Sequence, residues 1–121
     1  MRTSIRVKYE HFDVETYHTF YRNMAEFGIA KEDCVFLPCY EQKAVTAKEK
    51  ALLIGCYRRP GKVLVCVSNF GRIPVTATLG IDASAIGLKE NFRMTDWETR
   101  RPSAPQLTLD PGDFRLILLE N

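Results

Sequence analysis

Short apolar segments separated by Pro/Gly and Asn/Asp turns fill the second half of this 121-residue chain, and they constrain its fold more than any other feature. Lys62-Val-Leu-Val-Cys-Val-Ser-Asn-Phe70 is followed at once by Ile73-Pro-Val-Thr-Ala-Thr-Leu-Gly-Ile81, and the chain closes with Gln106-Leu-Thr-Leu-Asp-Pro-Gly-Asp-Phe-Arg-Leu-Ile-Leu-Leu119. Strands this short and this closely spaced predict an antiparallel β-sandwich. Arg59-Pro60-Gly61-Lys62 has Pro and Gly at the central positions of a type II turn, joining a buried strand over Ala51–Tyr57 to one over 62–69. In the next strand Ile73, Val75, Ala77, Leu79 and Ile81 point one way while Thr76 and Thr78 point the other, so it is half exposed. Asp82–Leu88 breaks the alternation and reads as a single helical turn. Asn91–Thr95, Gln106–Leu109 and, after the Asp110-Pro-Gly-Asp113 turn, Phe114–Leu119 are the last strands. Upstream, Cys34–Pro38 is held to an edge or a strand end by Pro38, and Lys43–Ala47 is another short strand. The total is about eight strands in a Greek-key or jelly-roll-type sandwich.

One helix precedes them. Val14, Tyr17, Tyr21, Met24 and Gly28 follow three-four spacing, and Phe20 and Phe27 widen the stripe. Asp13 is the expected N-cap, Glu15 suits the positive end of the dipole, and Gly28 is the expected left-handed stop. The chain therefore divides into an N-terminal segment with its helix, residues 1–30, and a β-sandwich, residues 31–121. So aromatic a helix face must dock on something. Two dispositions fit: it covers one side of the sandwich, or it packs on a neighbouring domain through Tyr17, Phe20, Tyr21 and Met24. In the second case the isolated chain self-associates through the helix.

Composition excludes several classes. Hydrophobic residues at 45% and charged residues at 26% describe a folded globular chain, not a disordered one. A net charge of +2, with no basic stripe, does not suit nucleic acid. No apolar run approaches the roughly 20 residues needed to cross a bilayer, so no membrane segment is expected. Met1-Arg-Thr-Ser-Ile-Arg-Val-Lys-Tyr9 has neither the apolar core nor the cleavage site of a signal peptide. Cys34, Cys39, Cys56 and Cys66 form no paired metal-binding spacing. They are expected as buried thiols, with a disulfide between Cys56 and Cys66 or between Cys34 and Cys39 as the alternative.

No catalytic residue, metal site or cofactor is legible. Asp96 and Glu98 share a strand face at i and i+2, but they run into the polar Thr99-Arg-Arg-Pro102 stretch and read as a solvated turn. Asp110 and Asp113 flank a Pro-Gly turn and read as turn formers. His11 and His18 are the only histidines, and no serine stands in a nucleophile elbow. The glycines form neither a dinucleotide fingerprint nor a phosphate loop. Carbohydrate is the one ligand with candidate residues: Trp97, the single tryptophan, beside a polar loop, and Tyr57, with Tyr40 as a further candidate. The alternative for Trp97 is an anchor that packs its ring on the core.

The order of segments carries a resemblance. It runs from Phe27-Gly-Ile29 through Glu32-Asp33 and Phe36-Leu-Pro38 to the Val67-Ser-Asn-Phe70 step. Ile86-Gly-Leu88, Met94-Thr-Asp-Trp-Glu-Thr99 and the closing Leu107–Leu119 stretch follow. Together these resemble the C-terminal β-sandwich domain that follows the catalytic (β/α)8 barrel in bacterial glycoside hydrolases of the α-amylase-like and α-galactosidase-like kinds, and in a large group of glycoside-hydrolase-like proteins. One departure is visible: such domains often read Phe-Leu-Pro-Tyr-Trp where this chain has Phe36-Leu-Pro-Cys-Tyr40. The resemblance implies a non-catalytic accessory domain that packs on and stabilises a preceding barrel. It implies that the catalytic carboxylates lie on that barrel and that the helix is where the barrel's last helix enters the sandwich. A carbohydrate-binding module or a free-standing interaction domain is the alternative.

Overall fold

The computed structural model describes residues 14–121, with side chains from Phe20 onward; the expected Asp13 N-cap and His11 lie outside them. Helix α1 (Val14–Phe27) leads into ten strands. These are β1 (Val35–Leu37), β2 (Val45–Thr46), β3 (Leu52–Arg59), β4 (Lys62–Asn69), β5 (Val75–Thr78), β6 (Gly80–Ile81), β7 (Arg93–Asp96), β8 (Arg101–Pro102), β9 (Gln106–Leu109) and β10 (Phe114–Glu120). The expected helical turn is a short 3-10 turn at Ser84–Ile86, ended by Gly87 at φ 78°. The count exceeds eight because the strand expected over 73–81 divides into β5 and β6, and because β8 is an added two-residue piece.

A six-stranded sheet runs in the order β1-β3-β4-β10-β7-β8, and every pairing in it is antiparallel. Two small antiparallel ladders, β2-β6 and β5-β9, form the opposing layer. The Pro60-Gly61 turn sets the register of the central hairpin, with Gly61 at φ 76° as a type II turn requires, and pairing runs from Arg59↔Lys62 to Leu52↔Asn69.

Alternation along β4 and β10 divides the core in two. Val63, Val65, Val67, Ile117 and Leu119 face the small ladders, where Val45, Ala77, Leu79, Leu107 and Leu109 meet them. Leu64, Cys66, Leu116 and Leu118 face the other way and are covered by Phe20, Met24 and Phe27 of α1. The helix therefore covers the sheet of its own chain, the first of the two dispositions. Each large side chain buried at this contact contributes about 1.5–3 kcal/mol. Phe20 also meets Phe114 edge-on, with ring centres 5.6 Å apart.

Local bonds fix the end of α1. Gly28, at φ 95°, donates to the Met24 and Ala25 carbonyls. The positive φ favours glycine, and a Cβ there would push the Arg59 guanidinium off its bonds at the helix end. Arg59 Nη1 donates to the Phe27 carbonyl at 2.9 Å and its Nε to Asp33 Oδ1 at 2.8 Å. The hydrogen bond from Arg59 holds the Asp33 carboxyl below its usual range.

Two expectations change. Ile73 does not join the buried face: it is 69% exposed, because Asn69 Nδ2 holds the Ile73 carbonyl in the turn and Pro74 delays the strand to Val75. The β3 strand is not buried on both faces; Leu52, Ile54 and Cys56 are buried while Leu53 is exposed, since the core under α1 is built on β4 and β10 and takes from β3 only the half-buried Tyr57.

Asn69 closes the sandwich. It is fully buried, and its Nδ2 donates to the Ile73 and Leu109 carbonyls while its Oδ1 accepts from Gly71 N–H. Its own main chain bonds Asp113 O and Gly112 N. Asn69→Ala strands the buried Leu109 carbonyl and releases the Ile73 turn, and it is expected to cost about 1–3 kcal/mol in denaturant unfolding. A loss within the noise of that measurement contradicts the closing role. The Arg59–Asp33 pair gives a pH dependence. A depressed folded pKa adds stability above the unfolded value of about 4, and that stability is lost as pH falls through the lower folded value. Asp33→Asn is thus expected to destabilise at pH 7 and to lose its effect once pH falls below the lowered folded value, read from melting temperature against pH.

Candidate functional site

The two residues expected to bind carbohydrate stand apart. Tyr57 is on β3 and Trp97 follows β7, with β4, β10 and the overlying α1 between them. They flank the helix and form no common platform.

Trp97 acts as a clasp between sheet and helix. Its N–H bonds the Leu116 carbonyl at 2.8 Å, and its indole Nε1 donates to the Asn23 carbonyl on α1 at 2.9 Å. The Arg100 guanidinium lies 3.6 Å from the Trp97 ring centre. Arg100 Nη2 also donates to Asn23 Oδ1 at 2.8 Å and Glu26 Oε2 at 2.6 Å. Arg100 adopts φ 63°, which is strained for a residue with a Cβ, and these three contacts, with a fourth from its Nε to the Trp97 carbonyl at 2.8 Å, hold it there. Asn23 is 1% exposed, and its Nδ2 finds no acceptor among the described residues. These bonds tie the Trp97 ring to α1 and its backbone to β10. Asp96 Oδ1 accepts from the Glu98 and Thr99 N–H groups, so this carboxylate is a turn former.

Tyr57 belongs to a different feature, a groove on the part of the sheet's outer face that α1 leaves open. Phe36, Pro38, Cys39 and Tyr40 form one wall, from β1 and the turn after it. Leu53, Gly55 and Tyr57 of β3 form the floor; Cys66, Ser68 and Phe70, at the end of β4, close the other side. The cavity holds about 250 Å³. It exists because Gly55 leaves a gap between Leu53 and Tyr57 on this face of β3. Phe36 leans on Tyr57 with ring centres 4.8 Å apart, and burial raises the Tyr57 phenol pKa above its ordinary value. Tyr40 is 81% exposed, Phe36 49%, Phe70 44% and Leu53 40%, so the main exposed apolar surface among the described residues gathers here.

Of the residues expected at a domain interface, Phe20 and Met24 are buried against the chain's own sheet, leaving Tyr21, half exposed, to face outward. Tyr17 lies on α1 outside the residues whose side chains are described. Self-association through the helix thus loses two of its four contributors. The cysteines are all thiols, and they are not all buried, as Cys39 is exposed on the groove wall. Cys56 faces the sandwich and Cys66 the helix, on opposite sides of the sheet, so these two cannot pair. Burial pushes the Cys56 thiol up to about 12. Tyr40 and Tyr57, both carbohydrate candidates by sequence, line this groove. Gly55 inside an apolar strand was the available signal, since a strand glycine often marks close approach of another body.

The clasp yields a prediction. Arg100→Ala removes the partner of Asn23 Oδ1 and uncovers one face of the indole. It is expected to cost about 1–3 kcal/mol and to shift the emission of Trp97 to the red. Unchanged emission and stability would refute the clasp.

No family model matches the sequence, and no curated protein matches it. Solved structures do. A Bacillus halodurans C-125 protein assigned as an alpha-N-acetylgalactosaminidase aligns with a TM-score of 0.50 at 17% identity, over 67% of this chain and 20% of that one. A GH27 β-L-arabinopyranosidase from Geobacillus stearothermophilus aligns at 0.48 and 16%, over 63% of this chain and 20% of that one. For a beta-galactosidase from Bacillus circulans sp. alkalophilus the values are 0.47 and 11%, over 66% and 10%. These neighbours are glycoside hydrolases, and the chain spans a tenth to a fifth of their length. What the first likeness establishes is a shared fold.

Proposed function

We propose that this chain is a non-catalytic accessory β-sandwich domain of a glycoside hydrolase, following a catalytic (β/α)8 barrel, packing on it and stabilising it. The observation that carries this reading is the fold match to one fifth of the Bacillus halodurans protein. On this reading the rest of such a polypeptide supplies the chemistry, and residues 31–121 supply a rigid body. The stretch over residues 1–30 is the connection, with α1 bound to the sheet by Phe20, Met24, Phe27 and the Trp97–Arg100 clasp. A helix fixed in this way transmits orientation from one body to the other, which a flexible linker would not do.

A carbohydrate-binding role through Trp97 and Tyr57 has weaker support. The indole N–H is already bonded to Asn23, one ring face lies under Arg100, and Tyr57 is on the far flank of the helix.

The test has two arms. Purified chain is expected to hydrolyse no aryl glycoside above the buffer rate, and removing residues 31–121 from the barrel-containing polypeptide is expected to lower the barrel's Tm by about 5 °C or more. Hydrolysis by the pure chain that Asp96→Asn abolishes, or a barrel indifferent to the deletion, overturns the proposal.

A further inference from the structure

The groove beside α1 has a direction as well as a chemistry. The C-terminal end of α1 is fixed at the β3–β4 turn, where Arg59 bonds the Phe27 carbonyl and the Lys62 ammonium sits 5.3 Å from the Phe27 ring centre. Seven residues earlier, about 10 Å along the axis at 1.5 Å per residue, Phe20 meets Phe114. Phe114 pairs with Ser68, and Ser68 lines the groove. Val14 lies about 9 Å further along the same axis. The N-terminal end of α1 therefore lies toward the end of the sheet where the groove opens.

The chemistry of the groove narrows its occupant. None of its lining residues is charged, so neither an anionic nor a cationic ligand finds a partner. A sugar ring would find aromatic faces but few hydrogen-bonding groups for its hydroxyls. The volume of about 250 Å³ falls below the roughly 300–1,000 Å³ of small-molecule sites, and suits inserted side chains better. Phe36, Tyr40, Leu53 and Phe70 remain exposed beside it, an arrangement that marks an unfilled protein contact.

From these observations we infer that the groove over β1, β3 and the end of β4, walled by Phe36, Tyr40 and Phe70, is a docking site for apolar side chains of the domain joined to the N-terminal end of α1. The inference rests on the accessory-domain reading and names the surface through which that domain is held. The other occupants, a second copy of this chain or an oligosaccharide, are outcomes of the test.

Cys39 gives a native probe, because its exposed thiol lies on the groove wall. The 121-residue chain and the barrel-containing polypeptide are pulsed with iodoacetamide, and modification at each cysteine is read by peptide mass. Cys39 is expected to react at least tenfold more slowly in the barrel-containing polypeptide. Tyr40→Asp with Phe70→Asp is expected to restore its rate and to lower the barrel's melting temperature. Gly55→Leu, which plugs the groove without adding charge, is expected to do the same; a Cβ at that position meets only ordinary contacts. Suppose the barrel loses stability when residues 31–121 are removed, yet Cys39 stays reactive and the groove variants are silent. The docking inference is then overturned while the accessory reading stands. If removal has no effect either, the accessory reading fails and takes the inference with it. Concentration-dependent protection of Cys39 in the chain alone identifies a second copy, protection by added polysaccharide identifies a sugar site, and either result overturns the inference.

Discussion

The structure depends on a pair of strands that cannot face water on either side. Between Val63 and Asn69 β4 is buried throughout, and Leu116 to Leu119 of β10 are buried beside it. Valines and isoleucine on one face close the sandwich; leucines and Cys66 on the other need a second cover. The small ladders supply the first, and α1 supplies the second. Without the helix, Leu64, Leu116 and Leu118 would stand on an open sheet face, each at a cost of about 1.5–3 kcal/mol. The helix is thus a structural part of the sheet, whatever else it connects.

The same geometry explains where the exposed apolar surface lies. One helix is too narrow for six strands. It lies over the two central ones, held on one flank by the Trp97–Arg100 clasp and at its end by Arg59. The other flank is left open over β1 and β3. There Gly55 leaves the floor low, and the aromatic side chains of Phe36, Tyr40, Tyr57 and Phe70 rise around it. Burial on one flank and vacancy on the other follow from one packing decision, the position of α1 on the sheet.

Strands and turns were legible because their causes are local. Alternation at period two, the Pro60-Gly61 and Pro111-Gly112 turns, and Gly28 at the helix end all act within a few residues. The apolar run over Ala51–Tyr57 pointed to a buried strand, yet β4 is the one buried on both faces, because the second cover comes from Phe20, Met24 and Phe27, some forty residues away in sequence. Ile73 fitted the alternation and is nonetheless exposed, because a buried Asn69 side chain takes its carbonyl into a turn. The groove was illegible for the same reason. It is assembled from β1, β3 and β4; Gly55 inside an apolar strand is its one local mark, and the uncovered flank has no signature in any single segment. Trp97 was the reverse case: a lone exposed-looking tryptophan whose role is set by Asn23, seventy-four residues earlier.

The central claim is that this sandwich serves a catalytic barrel in the same polypeptide. Sequencing the source DNA upstream of the Met1 codon tests that most directly. The account predicts a reading frame that continues for about 250 codons or more with alternating strand and helix patterns. An in-frame stop codon and a ribosome-binding site immediately before Met1 would contradict it.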